Sequence, residues 1–179
     1  MQERIALEET SSLPIPRDTK ALEEFIKRLP FRLTKTQTSI LDTILADVAR
    51  KTPMARLVEG DVGSGKTIIA AATSYMVLCG GFQTTYMAPT EILARQHFDS
   101  FAKFIGSPAV KIGLLTSSEA RVYPSKAFLG DSAHIPKSQM LRWVQSGEIK
   151  ILLGTHSLLS EKIKFKNLAL IVVDEQHRF

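Results

Sequence analysis

The run Leu57-Val-Glu-Gly60-Asp-Val-Gly63-Ser-Gly65-Lys66-Thr67 decides the fold of this chain. It opens on a short apolar stretch, satisfies the pattern G-x-x-x-x-G-K-[ST], and passes into the helix-forming Ile68-Ile-Ala-Ala-Ala-Thr73. A glycine-rich turn between an apolar strand and a helix is the setting in which this pattern binds phosphate. Three glycines let the backbone curl round a polyphosphate with successive N–H groups aimed at its oxygens, and the helix start adds its positive end. The contacting set is Gly60, Asp61, Val62, Gly63, Ser64, Gly65, Lys66 and Thr67. Lys66 is expected on the outer phosphates of ATP, and the Thr67 hydroxyl on Mg²⁺.

The 179 residues suffice for one domain of ordinary size, and 44% apolar against 23% charged residues describes a globular chain rather than a disordered one. No apolar run approaches the roughly 20 residues of a membrane span, and Met1-Gln-Glu-Arg-Ile lacks a secretory pattern, so the expected location is cytoplasmic. Cys79, the one cysteine, permits no internal disulfide or cysteine-based metal site and is expected as a small core residue. Net charge is +5; residues 1–30 carry 5 basic against 6 acidic groups and the remainder 18 against 12, a balance suited to an anionic partner such as nucleic acid.

Residues 1–30 read as a linker, marked by Pro14 and Pro16, and a short helix capped by Asp18 or Thr19, with Leu22, Phe25, Ile26 and Leu29 on one face. A second helix runs from Lys35 to Lys51 on Ile40, Leu41, Ile44, Leu45 and Val48, ahead of the strand that leads into the phosphate loop. Thereafter strands are predicted at 84–88, around Val110, Ile112 and Leu114, at 149–153 and at 168–173, with helices at 90–105 and 137–145. Trp143 belongs to the apolar set of the latter helix and is expected in the core. Ser117–Pro136 shows no period and is expected as an extended loop. The continuously apolar 168–173 suits a parallel strand covered on both faces. Strands alternating with helices imply an α/β fold, a parallel sheet with helices on both faces, from residue 31 to 179.

The last apolar run ends in Asp174-Glu175-Gln176-His177. Strand-end carboxylates that accompany a phosphate loop serve its chemistry in two ways. Asp174 can hold Mg²⁺ through its water shell, and Glu175 can orient and deprotonate the water that attacks the γ-phosphate. Lys66 and Glu175 are therefore the expected catalytic pair, and Thr67 with Asp174 the metal pair. His97 and His134 make no ligand cluster with each other or with Cys79, so no structural metal is expected.

Gly60–Thr67 taken with Asp174-Glu-Gln-His-Arg-Phe179 resembles the superfamily 2 DNA helicases, and within them the RecG family. The likeness extends over about residues 18–179. It implies a P-loop NTPase (RecA-like) fold, the first of two motor lobes, in an ATP-dependent enzyme that remodels branched or forked DNA for repair and recombination. Leu29-Pro-Phe-Arg-Leu-Thr-Lys-Thr-Gln37 is similar to the segment in which a glutamine contacts adenine, which points to Gln37. Ala88-Pro-Thr-Glu-Ile-Leu-Ala-Arg-Gln-His97 resembles a motif contacting the DNA backbone, implying Thr90, Arg95 and Gln96. Thr90, at a helix start, offers a hydroxyl and N–H to phosphate on physical grounds as well. Gly154-Thr-His-Ser-Leu-Leu159 matches a further DNA-facing stretch through Thr155, and the resemblance gives His177 a coupling role between nucleotide and DNA-bound lobes.

The chain departs from the family at three points. Ser117 stands where a glycine is usual, residues 119–136 are longer than usual, and the chain stops at Phe179. The family's second RecA-like lobe, its wedge domain and a central strand bearing Ser-Ala-Thr are not in this sequence, so it is expected to be a fragment, incomplete at the carboxyl end and weak or inactive by itself. A translocase of the transcription-repair coupling type shares much of this lobe; a non-catalytic nucleotide-binding module is the other alternative.

Overall fold

The computed structural model describes residues 12–61, 63–125 and 131–175. Its contacts divide into two units, Met1–Gly80 and Gly81–Phe179.

In the first unit, helix α1 (Thr19–Lys27) starts at Asp18, whose carboxylate accepts from the Ala21 N–H at 3.0 Å, and buries Leu22 and Phe25. Helix α2 (Lys35–Val48) opens on a capping box: the Thr34 hydroxyl accepts from Gln37 N–H and the Gln37 side chain accepts from Thr34 N–H. Both pack on α3 (Lys66–Cys79), where Ala71 and Ala72 are fully buried and Tyr75 meets the Phe25 ring at 5.2 Å.

Two expectations are corrected in this unit. Residues 53–61 form no strand: Leu57 is 70% exposed, and Arg56 is drawn to Asp47 of α2 by an ion pair. A strand is held by its ladder, and none of the described strands pairs with this segment. Cys79 is exposed rather than core, being the last residue of α3, one turn beyond the buried Met76.

The second unit is a six-stranded sheet of order β4-β3-β2-β5-β1-β6, built from β1 (Gln83–Met87), β2 (Lys111–Leu115), β3 (Ala120–Tyr123), β4 (Ala133–His134), β5 (Ile149–Gly154) and β6 (Leu168–Val173). Pairings among β2, β5, β1 and β6 are parallel, as predicted. The sheet is nevertheless mixed, because β3 and β4 run antiparallel on the β2 side. They lie in the stretch expected to be loop; Ala120 and Val122 are buried there, yet Arg121 between them is too short a pattern to announce a strand. Helix α4 (Glu91–Ile105) covers one face, with Phe101 edge-on to Tyr86 at 5.4 Å between centroids. Helix α5 (Lys137–Ser146) covers the other, where Met140 fills the space above Gly113 and packs with Met87, Leu152 and Val144. Trp143 joins this cluster half-buried, under the Lys111 ammonium.

Strand β6 also differs from expectation. It is an edge strand paired only to β1 among the described residues, and Ile171 and Val173 are 51% and 40% exposed on one face rather than covered on both. Its start is set by Gln83, which is 1% exposed. The Gln83 amide donates to Val144 O at 3.0 Å and Ile149 O at 2.7 Å, and accepts from Lys166 N–H at 2.9 Å and Asn167 N–H at 3.1 Å. Among the described residues, no helix is long and apolar enough to cross a membrane.

The turn from β2 to β3 is fastened to α4 by Glu91, which accepts from the Ser117 N–H at 3.0 Å and from the hydroxyls of Ser117 and Ser118. Those serine donors hold the Glu91 carboxyl down to about 2, from an ordinary 4.5. Ser117, standing where the resemblance implies a glycine, is thus a working part of the turn.

Replacing Gln83 by Leu removes four hydrogen bonds to the backbone at once, although Val144 O keeps its bond from Gly147 N–H, and we expect it to cost roughly 2 kcal/mol or more, read as a lower urea midpoint by Trp143 fluorescence. An unchanged midpoint would show the network to be dispensable. For Glu91 the folded carboxyl is depressed, so its contribution is present above about 4.5 and is lost as pH falls from there through about 2. The Ser117 amide resonance should accordingly titrate with a midpoint near 2, and a midpoint near 4.5 would mean that the turn is not held by Glu91.

Candidate nucleotide and nucleic-acid site

The phosphate loop belongs to the first unit. Gly63 and Gly65 have φ of +81° and +90°, a left-handed backbone that only glycine adopts without strain. A Cβ on Gly65 would collide with the Gln37 amide nitrogen, and one on Gly60 would lie 2.7 Å from Ser64 Oγ. Gly65 is the N-cap of α3, and no side chain caps that helix start. Lys66 folds back over the loop, its ammonium donating to Gly60 O at 2.6 Å and Asp61 O at 2.9 Å. An uncapped helix start, a left-handed glycine turn and a cation held by loop carbonyls form a cradle that fits a polyphosphate. Thr67 is half-buried in the first turn of α3. Val62 lies outside the described residues.

Gln37 joins this loop to α2. While its amide oxygen closes the capping box on Thr34, its nitrogen donates to Ser64 O at 2.9 Å. A cleft of about 510 Å³ is lined by Ile26, Leu29, Phe31, Arg32, Leu33 and Thr38, the last next to Gln37 in sequence.

The acidic strand end belongs to the second unit. As β6 finishes, the Asp174 N–H donates to Met87 O at 2.9 Å, and Asp174 Oδ2 lies 2.9 Å from His97 Nε2. Tyr86 Oη stands 3.4 Å from the same nitrogen. Burial, and then the neighbouring negative charge of Asp174, push the Tyr86 phenol well above its ordinary range, so it stays protonated. Glu175 is exposed with a φ of +50°, a left-handed conformation that turns the chain out of the strand. His177 falls outside the described residues.

The four residues matched to DNA-facing motifs differ in availability. Thr90 is exposed and caps α4, its hydroxyl accepting from Leu93 N–H at 3.2 Å. Gln96 is exposed on the same helix. Arg95 is tied into the protein by Glu119, by Glu91 at 3.6 Å and by Ser118 Oγ at 3.0 Å. Thr155 is buried, with its hydroxyl 3.0 Å from Ser157 Oγ.

Sequence reasoning does not single out His97 for this site, because its partner lies 77 positions away. The available signal is a polar residue on an apolar helical stripe, Ala94, His97, Phe98 and Phe101.

Residues 34–179 match the profile of the DEAD/DEAH box helicase family. The chain is 43% identical over 162 residues to the ATP-dependent DNA helicase RecG of Aquifex aeolicus, covering 90% of this chain and 19% of that protein. It is 41% identical over 172 residues to RecG of Bacillus subtilis, covering 96% and 23%. A solved structure of RecG bound to a three-way DNA junction superposes with a TM-score of 0.84 at 35% identity, over 99% of this chain and 23% of that one. The chain therefore spans roughly a fifth to a quarter of the length of these curated relatives. The family profile takes in the phosphate loop, the helix begun at Thr90 and the acidic strand end in their order, and the chain belongs to the DEAD/DEAH box helicase family.

Proposed function

We propose that the chain is the first motor lobe of a RecG-type helicase, which hydrolyses ATP in a DNA-stimulated way to remodel branched DNA in repair and recombination. On this reading a second RecA-like lobe and a wedge domain lie on the rest of a longer cytoplasmic polypeptide. The observation that carries it is the phosphate cradle: left-handed Gly63 and Gly65 ahead of an uncapped helix, in a chain similar to RecG along 90% or more of its length.

Lys66 exchanges the carbonyls of Gly60 and Asp61 for the outer phosphates of ATP, while the N–H groups of residues 60–67 take the remaining oxygens. Thr67 of the first unit and Asp174 of the second are the residues whose oxygens would serve Mg²⁺. Mg²⁺, when bound, offsets the charge that builds on the phosphate oxygens. Glu175 orients the attacking water and accepts its proton. Gln37 contacts the adenine edge, and the aromatic and cationic cleft residues Phe31 and Arg32 suit a base. Thr90 and Gln96 meet the DNA backbone directly. Arg95 does so by giving up Glu119, Thr155 by giving up Ser157, and His177 couples the two processes.

Phosphate release by the full-length protein should rise on adding forked DNA. Lys66→Ala or Glu175→Gln should each lower stimulated turnover by at least about a hundredfold. Full turnover in either variant would overturn the site assignment.

A further inference from the structure

We propose that His97 is a positioning residue for Asp174, one that ties the metal-holding carboxylate to helix α4. The proposal rests on the role given to Asp174 above and adds a residue to it.

His97 Nε2 and Asp174 Oδ2 lie 2.9 Å apart, with only 14% and 21% of their side chains exposed. A carboxylate accepts only, so Nε2 carries the proton and donates. The imidazole cannot swing away: its ring lies 4.8 Å from that of Tyr86, which is 3% exposed and itself packs edge-on to Phe101 of α4. Asp174 is held at its backbone by Met87 O and at its carboxylate by His97, and the Tyr86 hydroxyl stands 3.4 Å from the same imidazole nitrogen. These bonds select one orientation for a side chain that otherwise rotates at the end of an edge strand.

The helix that supplies His97 is the one that opens at Thr90. The seven positions between them are about two turns, roughly 10 Å along a rigid helix, on the same side. A displacement of α4 caused by phosphate contact at Thr90 is transmitted to the imidazole and so to the orientation of Asp174. His97 thus acts through Asp174, touching neither ATP nor DNA, and converts the position of α4 into readiness of the metal site.

The test uses the full-length protein and N-methylanthraniloyl-ATP, titrated with and without Mg²⁺, alongside ATP turnover with and without forked DNA. His97→Asn is too short to reach Asp174, His97→Leu fills similar volume without a donor, and His97→Gln places an amide N–H near the position of Nε2. The Asn and Leu variants should lose about tenfold of the Mg²⁺-dependent gain in affinity, and part of the DNA stimulation, while Mg²⁺-free affinity and the unfolding temperature hold. His97→Gln should recover most of both. A full Mg²⁺-dependent gain in either the Asn or the Leu variant overturns the proposal, as does an equal loss with and without Mg²⁺, the mark of a merely structural residue. Wild-type protein with no Mg²⁺-dependent gain would instead overturn the reading of Asp174 itself.

Discussion

Gln83 is the constraint on which the sheet unit depends. A buried primary amide has two donors and an acceptor with two lone pairs, and here each meets a backbone partner: Val144 and Ile149 on one side, Lys166 and Asn167 on the other. One side chain thereby joins the end of α5, the start of β5 and the approach to β6. The Gln83 amide is buried, and leaving one of its polar atoms unpaired there costs about 1–3 kcal/mol, which the backbone partners offset.

Its consequence is felt at the other end of the strand. Gln83 pairs with Leu168 but Thr84 with Leu170, so β6 carries one extra residue at its start. Because side chains alternate along a strand, one inserted residue reverses which face each later position presents. From there the register runs undisturbed to Met87 and Val173, and Asp174 follows at the carbonyl of Met87, within reach of His97. A structural amide at the foot of the sheet therefore decides where the acidic strand end stands.

In the other unit Gln37 has a comparable place. Its amide closes the start of α2 on Thr34 and holds the loop backbone at Ser64, so the phosphate loop and the helix cap share one side chain. The polar surface around α4 is organised in the same way, with single side chains serving several partners. Glu91 secures the serines of the β2–β3 turn, and Arg95 is neutralised by Glu119, which leaves Thr90 and Gln96 as the exposed polar residues of that motif. A guanidinium already paired with a carboxylate must lose that partner before it serves another anion.

The left-handed glycine turn ahead of α3, the apolar faces of α4 and α5 and the run of parallel strands were legible along the chain, because each is a local pattern: glycines at fixed spacing, an apolar stripe, a cap. Tertiary structure alone decided what depends on partners distant in sequence. It paired Ala120–Tyr123 with β2 and made a strand of an aperiodic stretch, left residues 53–61 without a ladder, and exposed Ile171 and Val173 on an edge. It also brought His97 to Asp174 and four backbone groups to Gln83. Local spacing specifies which groups a residue offers; whether a strand finds a neighbour, or a polar side chain a buried partner, is settled only when the chain closes on itself.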